Sequence, residues 1–107
     1  TVRLSANGRL EYKLPDASVN PYLSHTLLLA AIRDGLDSEV DPDGADFDAL
    51  PLTLGDAVQA FSASKPMRGA FPDELADTYI AMKSDEWARF CGAVTDWEFE
   101  MYLEGTP

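Results

Sequence analysis

Three charged side chains alternate with apolar ones near the start of the chain, and they are its first candidate for chemistry. Arg9, Glu11 and Lys13 are separated by Leu10 and Tyr12. Successive side chains of a β-strand point to opposite faces, so a strand here would place the three charges on one face at a spacing of roughly 6–7 Å. A carboxylate between two cations is unusual for a purely structural strand, although the pattern also fits a solvated strand with weak cross-strand ion pairs. The residues therefore mark a candidate polar site.

The loop before this strand decides whether a fourth charge joins the same face. Residues 1–5 predict a strand, and the Asn-Gly pair within 6–8 predicts a hairpin turn. A two-residue turn, the commoner form, would put Arg3 opposite Tyr12 and away from Glu11. A three-residue loop with its glycine in a left-handed bulge position would instead pair Arg3 with Glu11. The sequence leaves both registers open.

A turn and four helices are predicted after the hairpin. Pro15 and Asp16 interrupt the strand pattern. Asn20 is suited to cap a helix, and Pro21 to occupy its first position, where a missing N–H costs nothing. Apolar spacing and capping patterns predict a hairpin over 1–14 and helices over 21–35, 53–64, 72–93 and 96–103. We expect a mainly α fold with a short N-terminal β-hairpin, in a single domain.

Several helical positions carry expectations about burial. The apolar run over 26–32 predicts a first helix that is buried on most sides. Cys91 falls on the apolar stripe of the longest helix and is predicted to be a small buried hydrophobe. His25 has no partner at metal-ligand spacing, so we expect a packed or surface residue rather than a catalytic one. Pro66 is expected to stop a helix and to leave 67–71 as a connector.

Composition excludes some classes of partner. The 107 residues carry a net charge of −11 with a pI near 4.2, which argues against nucleic acid and anionic membranes as partners. There is no apolar run of the length that spans a membrane and no basic-then-apolar leader. A single cysteine is consistent with a cytoplasmic location. The acidic stretch 37–51 lacks the EF-hand spacing and is predicted to be a solvated loop. Because the chain begins at Thr1, directly in a strand pattern, we expect it to belong to a longer protein.

The sequence also resembles a known family. Arg9-Leu10-Glu11-Tyr12-Lys13-Leu14-Pro15-Asp16 and Asn20-Pro21-Tyr22-Leu23 resemble the C-terminal part of the catalytic domain in the glutamine synthetase family. Residues 50–57, with Leu-Gly-Asp-Ala, resemble a later helix of that domain. Residues 81–87 and 95–98 resemble the type III-like branch, which includes γ-glutamylmethylamide synthetases. The resemblance implies a C-terminal fragment of an α+β catalytic domain.

The resemblance implies a role for each charge of the candidate site. Glu11 matches a carboxylate that ligates Mg²⁺ or Mn²⁺. Arg3 and Arg9 match arginines that bind the ATP phosphates, and Arg3 also stabilises the transferring phosphoryl group. Lys13 stands where the family usually has an arginine for the substrate α-carboxylate. The implied activity is ATP-dependent ligation of glutamate to ammonia or a small amine through γ-glutamyl phosphate, a reaction of nitrogen metabolism and glutamine biosynthesis.

Departures from the family pattern leave other hypotheses open. Lys13 replaces a planar, bidentate donor with a point charge. The other metal carboxylates and the ammonia-site residues of the family lie upstream of this segment, so we expect the isolated 107 residues to be inactive without the remainder of the catalytic domain. The resemblance further implies a homo-oligomeric ring. The alternatives are a catalytically inactive glutamine synthetase-like scaffold and a free-standing acidic helical interaction domain.

Overall fold

The computed structural model describes residues 2–39, 41 and 49–104, with the side chain of residue 104 excepted. Within these ranges the chain is mainly helical with one two-stranded sheet, which confirms the predicted fold class. The elements in chain order are β1 (Val2–Leu4), β2 (Leu10–Tyr12), α1 (Pro21–Asp37), α2 (Leu54–Ala63), α3 (Lys65–Arg68), α4 (Asp73–Cys91), α5 (Asp96–Phe99) and a π-helical turn (Glu100–Glu104). Two units contain them, Thr1–Ala45 and Asp46–Pro107.

The hairpin adopts the longer of the two loops that the sequence allows. β1 and β2 are antiparallel, with Arg3 opposite Glu11. The Ser5 N–H donates to the Arg9 carbonyl at 2.8 Å, and the Gly8 N–H donates to the Ser5 carbonyl at 3.1 Å. Gly8 has a φ of 68°, a left-handed conformation that glycine adopts without steric cost. The loop therefore contains three residues, and Arg3 lies on the face of Glu11.

A hydrogen-bonded turn connects β2 to α1. The Asp16 carboxylate accepts from the Ser18 N–H at 2.8 Å and from the Ser18 hydroxyl at 2.7 Å. The Asn20 side chain then accepts from the N–H groups of Tyr22 and Leu23 at 3.0 and 3.3 Å, and proline follows it within the first helical turn. Asn20 therefore caps α1 as the sequence predicts.

Helix α1 extends to Asp37, beyond the predicted end at 35. Gly35 continues the helix instead of capping it, and the Ser38 N–H donates to the Asp34 carbonyl at 2.9 Å. Glu39 takes the left-handed conformation after the helix, with a φ of 50°. The predicted glycine cap at Gly35 is therefore wrong. Glycine lowers helix stability but does not prevent a helical backbone, so α1 continues through Gly35 to Asp37.

The chain between α2 and α4 differs from the prediction. Helix α2 ends at Ala63, but a new helix, α3, begins at Lys65. The Ser64 side chain caps α3 by accepting from the Met67 N–H at 3.4 Å, and Pro66 lies in its first turn. The expected connector over 67–71 is therefore wrong at its start. A proline suits the first turn of a helix, so Pro66 begins one helix after another has ended.

Helices α2 and α4 form the core of the second unit. Phe61 of α2 makes edge-to-face contacts with Phe71 and with Tyr79 of α4, with ring centroids 6.4 and 6.2 Å apart. At the other end of α2, Gly55 lies directly against the indole ring of Trp87. Ala76 of α4 is the one fully buried apolar residue in the described part of the chain. This small core holds the two helices together.

The C-terminal elements leave their apolar side chains exposed. The capping box of α5 forms as predicted, since the Thr95 N–H donates to the Glu98 carboxylate at 2.8 Å and the Glu98 N–H to the Thr95 hydroxyl at 3.4 Å. Helix α5 ends at Phe99 rather than at the predicted residue 103. A π-helical turn follows it over Glu100–Glu104. Trp97 is 59% exposed, so it does not pack into the core within this unit.

The predicted burial of Cys91 and of α1 is also wrong for this chain by itself. Cys91 is exposed, although it lies on the apolar stripe of α4. Helix α1 contains no fully buried residue, and Leu29 and Leu36 are 66% and 74% exposed. Burial requires a second element that covers the stripe, and the described residues do not supply one. None of the described helices is both long and apolar enough to cross a membrane.

We expect the isolated 107-residue chain to lack cooperative unfolding. Exposed apolar side chains on α1 and near the C-terminal end favour a loosely packed or aggregating state over a rigid fold. Near-UV circular dichroism and dye binding during a thermal scan test this, with the full-length protein as the control. A sharp transition of the isolated chain without dye binding would contradict the expectation and favour the free-standing interaction domain.

Candidate functional site

The charged face of the hairpin brings together three of the four predicted site residues. Arg3 Nε lies 3.5 Å from Glu11 Oε2, and Lys13 Nζ lies 3.4 Å from Glu11 Oε1. Each oxygen of the carboxylate therefore faces a different cation. The three-residue loop produces this arrangement, because it places Arg3 directly across the strand pair from Glu11.

All three side chains are accessible to a ligand. The exposed fractions are 67% for Arg3, 47% for Glu11 and 57% for Lys13. Ion pairs between groups this exposed contribute about 1 kcal/mol or less, because water and salt screen them. A bound anion or cation could therefore replace either contact at low cost. We conclude that these pairs contribute little to stability and leave the charges available for binding.

Arg9, the fourth predicted site residue, is not brought into contact with Glu11. Its backbone carbonyl accepts from the Ser5 N–H and closes the hairpin loop. Its guanidinium makes no ion pair or hydrogen bond within the part of the chain that the structure describes, and the residue is exposed. Arg9 is thus available to an anion that approaches the loop end of the hairpin.

The described residues do not form a metal centre by themselves. A carboxylate oxygen such as that of Glu11 has the right chemistry for Mg²⁺ or Mn²⁺. However, the ranges 2–39, 41 and 49–104 contain no group of three histidine, cysteine, aspartate or glutamate side chains that could hold an ion. Glu11 is therefore at most one ligand among several, and the rest would have to come from outside these residues.

Asp16, which interrupts the strand pattern in the sequence, also has a defined structural role. Asp16 holds the turn after β2, and the hydrogen bonds from the Ser18 hydroxyl and N–H keep the pKa of the Asp16 carboxyl below its ordinary value. The spacing Asp-x-Ser after a proline was the available signal, since aspartate commonly accepts from a backbone N–H two residues on.

His25 makes only a local contact. Its Nδ1 lies 2.6 Å from the carbonyl of Pro21, one turn earlier in α1, and the side chain is exposed. The described residues thus place it at the start of a helix and without a catalytic partner beside it.

A known protein family matches nearly the whole chain. The family model for the glutamine synthetase catalytic domain matches residues 2–102. The chain belongs to the glutamine synthetase family. The match includes the hairpin, every helix described above and the charged face that carries Arg3, Glu11 and Lys13.

The proteins to which this chain is similar carry two different names. A glutamine synthetase from Rhizobium leguminosarum bv. phaseoli is 35% identical, over 96% of this chain and 27% of its own length. A glutamate–methylamine ligase from Methyloversatilis universalis is 34% identical, over 94% of this chain and 26% of its own length. The chain thus spans about a quarter of the length of these relatives.

A solved structure supports the same relationship at the level of the fold. The structure described as "Apo GmaS without ligand" matches with a TM-score of 0.79 and 34% identity, over 90% of this chain and 25% of the solved chain. The mainly helical fold with its short sheet therefore corresponds to part of a larger family structure.

Proposed function

We propose that this chain is the C-terminal segment of the catalytic domain of an ATP-dependent glutamate–ammonia or glutamate–amine ligase. The observation that carries the proposal is the hairpin register, which sets Arg3 and Lys13 on opposite oxygens of Glu11 on one exposed face. Membership of the glutamine synthetase family and relatives named glutamine synthetase and glutamate–methylamine ligase support it. The proposal concerns the full-length protein that contains the chain.

The proposed reaction has two steps. An oxygen of the glutamate γ-carboxylate attacks the γ-phosphorus of ATP, the bond to the bridging oxygen breaks, and ADP leaves. Ammonia or the amine then attacks the carbonyl carbon of γ-glutamyl phosphate, loses a proton, and releases inorganic phosphate. Both steps develop negative charge on phosphoryl oxygens, so positioned cations are the main requirement.

Two arginines of the hairpin, Arg3 and Arg9, would meet this requirement. We assign Arg3 to the transferring phosphoryl group and, together with Arg9, to the phosphates of ATP, because a guanidinium stays charged and donates in a planar fork. We assign Lys13 to the α-carboxylate of glutamate. An ammonium is a point charge, so this contact would restrict orientation less than an arginine would.

Glu11 is proposed as one ligand of the Mg²⁺ or Mn²⁺ ion that the family resemblance implies. The described residues do not complete a metal site, so we assign no chemical step to the ion. The other ligands, the amine site and further nucleotide contacts would come from the remainder of the catalytic domain. As the resemblance implies, we also propose a homo-oligomeric ring that acts in the cytoplasm.

Phosphate release by the full-length protein tests the function. The assay contains ATP, Mg²⁺ and glutamate, with ammonium in one series and methylamine in another. We expect turnover with at least one amine, and the faster series identifies the acceptor. The isolated 107-residue chain should release no phosphate under the same conditions, because Glu11 alone does not make a metal centre. Phosphate release by the isolated chain that depends on glutamate would contradict this expectation.

A negative result also has a defined meaning. A folded, oligomeric full-length protein with no turnover for either amine would overturn the ligase proposal and favour the inactive scaffold. The observation that keeps this second hypothesis is Lys13, the position where the chain departs from the arginine usual in the family. Replacing Lys13 with arginine then distinguishes the two, because restored turnover would trace the loss to this side chain.

A further inference from the structure

The backbone of Lys13 lies just outside the hydrogen-bonded ladder of the hairpin. The last pair of the described register joins Val2 to Tyr12, so Lys13 is the first residue beyond it. Arg3 and Glu11, by contrast, are paired within the ladder. The ion pair of Lys13 with Glu11 is exposed and contributes little to its position. Any further restraint on Lys13 therefore comes from the segment that follows it.

The next hydrogen-bonded structure among the described residues is the turn at Asp16. Its carboxylate accepts two hydrogen bonds from Ser18, at 2.8 Å from the N–H and 2.7 Å from the hydroxyl. The Val19 N–H also donates to the Asp16 carbonyl at 3.1 Å. Pro15, directly before it, has a fixed φ. Lys13 thus lies between the strand ladder on one side and, after Leu14 and Pro15, this hydrogen-bonded turn on the other.

The turn is itself attached to a long helix. Asn20, two residues after Ser18, caps α1 through the N–H groups of Tyr22 and Leu23. Helix α1 contains 17 residues, so the turn connects the strand to a rigid rod rather than to a loose loop. Without the Asp16 contacts, residues 13–19 would lose their main fixed point before the helix begins.

We propose that Asp16 is a positioning residue for Lys13, and that it fixes the Lys13 ammonium where a substrate carboxylate binds. This inference rests on the proposed function, in which Lys13 contacts glutamate. Asp16 acts only through Lys13, because Arg3 is held by the ladder and Arg9 by the closure of the hairpin loop. Loss of the turn should therefore weaken glutamate binding and leave ATP binding unchanged.

The charge state of Asp16 agrees with this role. Both Ser18 hydrogen bonds favour the ionised carboxylate and lower the pKa of Asp16. A carboxyl whose folded-state pKa is depressed holds its contacts above the unfolded pKa and loses them as the pH falls through the folded value. The Asp16 carboxyl is therefore ionised at neutral pH and accepts from Ser18 in that form.

The test compares Asp16→Ala with Asp16→Asn in the full-length protein. Alanine removes the acceptor, whereas asparagine keeps a side-chain oxygen for both Ser18 donors. For Asp16→Ala we expect the KM for glutamate to rise by about three- to tenfold, the range for loss of one or two ordinary hydrogen bonds. The KM for ATP should stay within about twofold, and Asp16→Asn should restore the glutamate KM.

A double-mutant cycle separates positioning from general damage. In a Lys13→Ala background, adding Asp16→Ala should cause no further rise in the glutamate KM. Thr53→Ala is the matched control, since it removes a comparable side-chain cap from α2 in the other unit and should leave both KM values unchanged. Equal rises for ATP and glutamate, a full second loss in the Lys13→Ala background, or failure of Asp16→Asn to rescue would each overturn the proposal.

Hydrogen exchange makes the outcome independent of turnover. We expect Asp16→Ala to accelerate exchange in peptides that cover 13–19 and to leave the β1–β2 amides unchanged. If the wild-type protein lacks ligase activity, the proposed function fails, and this measurement alone decides whether Asp16 anchors Lys13. Unchanged exchange over 13–19 would refute the anchoring in either case.

Discussion

Replacing Arg3 with alanine in the full-length protein is expected to lower kcat/KM for phosphate release by roughly 10²–10³-fold, the loss found when one donor to a developing oxyanion is removed. Arg3 lies across the strand pair from Glu11, on the face that we assign to the transferring phosphoryl group. Its contribution to stability is small because the ion pair is exposed. The loss should therefore appear in kinetics rather than in the unfolding temperature.

Two further variants test whether the loss is specific to the Arg3 guanidinium. Arg3→Lys keeps the charge but loses the planar fork, so we expect partial activity between the wild type and Arg3→Ala. Arg33→Ala is the matched control, because Arg33 is also exposed and pairs with a carboxylate, Asp37, at 3.4 Å. Its kinetic constants should be those of the wild type. An Arg3→Ala protein with near-normal kcat/KM would remove Arg3 from the proposed mechanism.

Replacing Gly55 with alanine is expected to destabilise the second unit by about 1–3 kcal/mol, the usual cost of adding a methyl group to a filled interface. A Cβ on Gly55 would lie 2.5 Å from Trp87 Nε1 and 2.9 Å from two ring carbons. The indole or the helix must therefore move, and α2 and α4 pack together at this point. The free energy of unfolding of the full-length protein in urea, followed by circular dichroism, measures the change.

Gly35→Ala provides the control for the Gly55 result. Gly35 is also helical, but an added Cβ there meets nothing within 4 Å. Alanine has the higher helix propensity, so this variant should be more stable by about 0.5–1 kcal/mol. Opposite signs for the two glycines would support the close approach of Trp87 to α2. A stabilising Gly55→Ala would show that this contact is not tight.

The hairpin shows where reasoning from the sequence stops. Alternation of charged and apolar residues predicts which side chains share a face within β2, because the side-chain period of a strand is fixed. It does not determine how β1 aligns with β2. In the structure, the Ser5 N–H bonds to the Arg9 carbonyl, which closes a three-residue loop and brings Arg3 to Glu11. Gly8 is equally suited to the shorter turn, so the sequence left both registers open.

The caps of α1 and α5 were predictable because each depends on contacts within a few residues. The side chains of Asn20 and Thr95 accept hydrogen bonds from the unpaired backbone N–H groups at the start of each helix. Because donor and acceptor are at most three residues apart, the sequence is sufficient to predict these bonds. The same local logic could have identified the turn of Asp16 with Ser18. The position of Pro66 follows from the same local chemistry. Proline disrupts a helix interior, so α2 ends before it, but proline is favourable in the first turn of a helix, where α3 places it.

Burial is what the sequence alone did not determine. Periodicity predicts the apolar stripe that contains Cys91 and the apolar surface of α1. It does not show whether another element covers that surface. The tertiary structure shows Phe61 and Trp87 packed between α2 and α4, whereas Cys91 and Leu36 are exposed. Coverage depends on residues distant in sequence, and this chain corresponds to only about a quarter of the length of its relatives. The alternation within β2 and the caps of α1 and α5 were therefore set by the sequence. The register that brings Arg3 to Glu11 and the packing of the helices were decided by contacts that only the folded chain brings together.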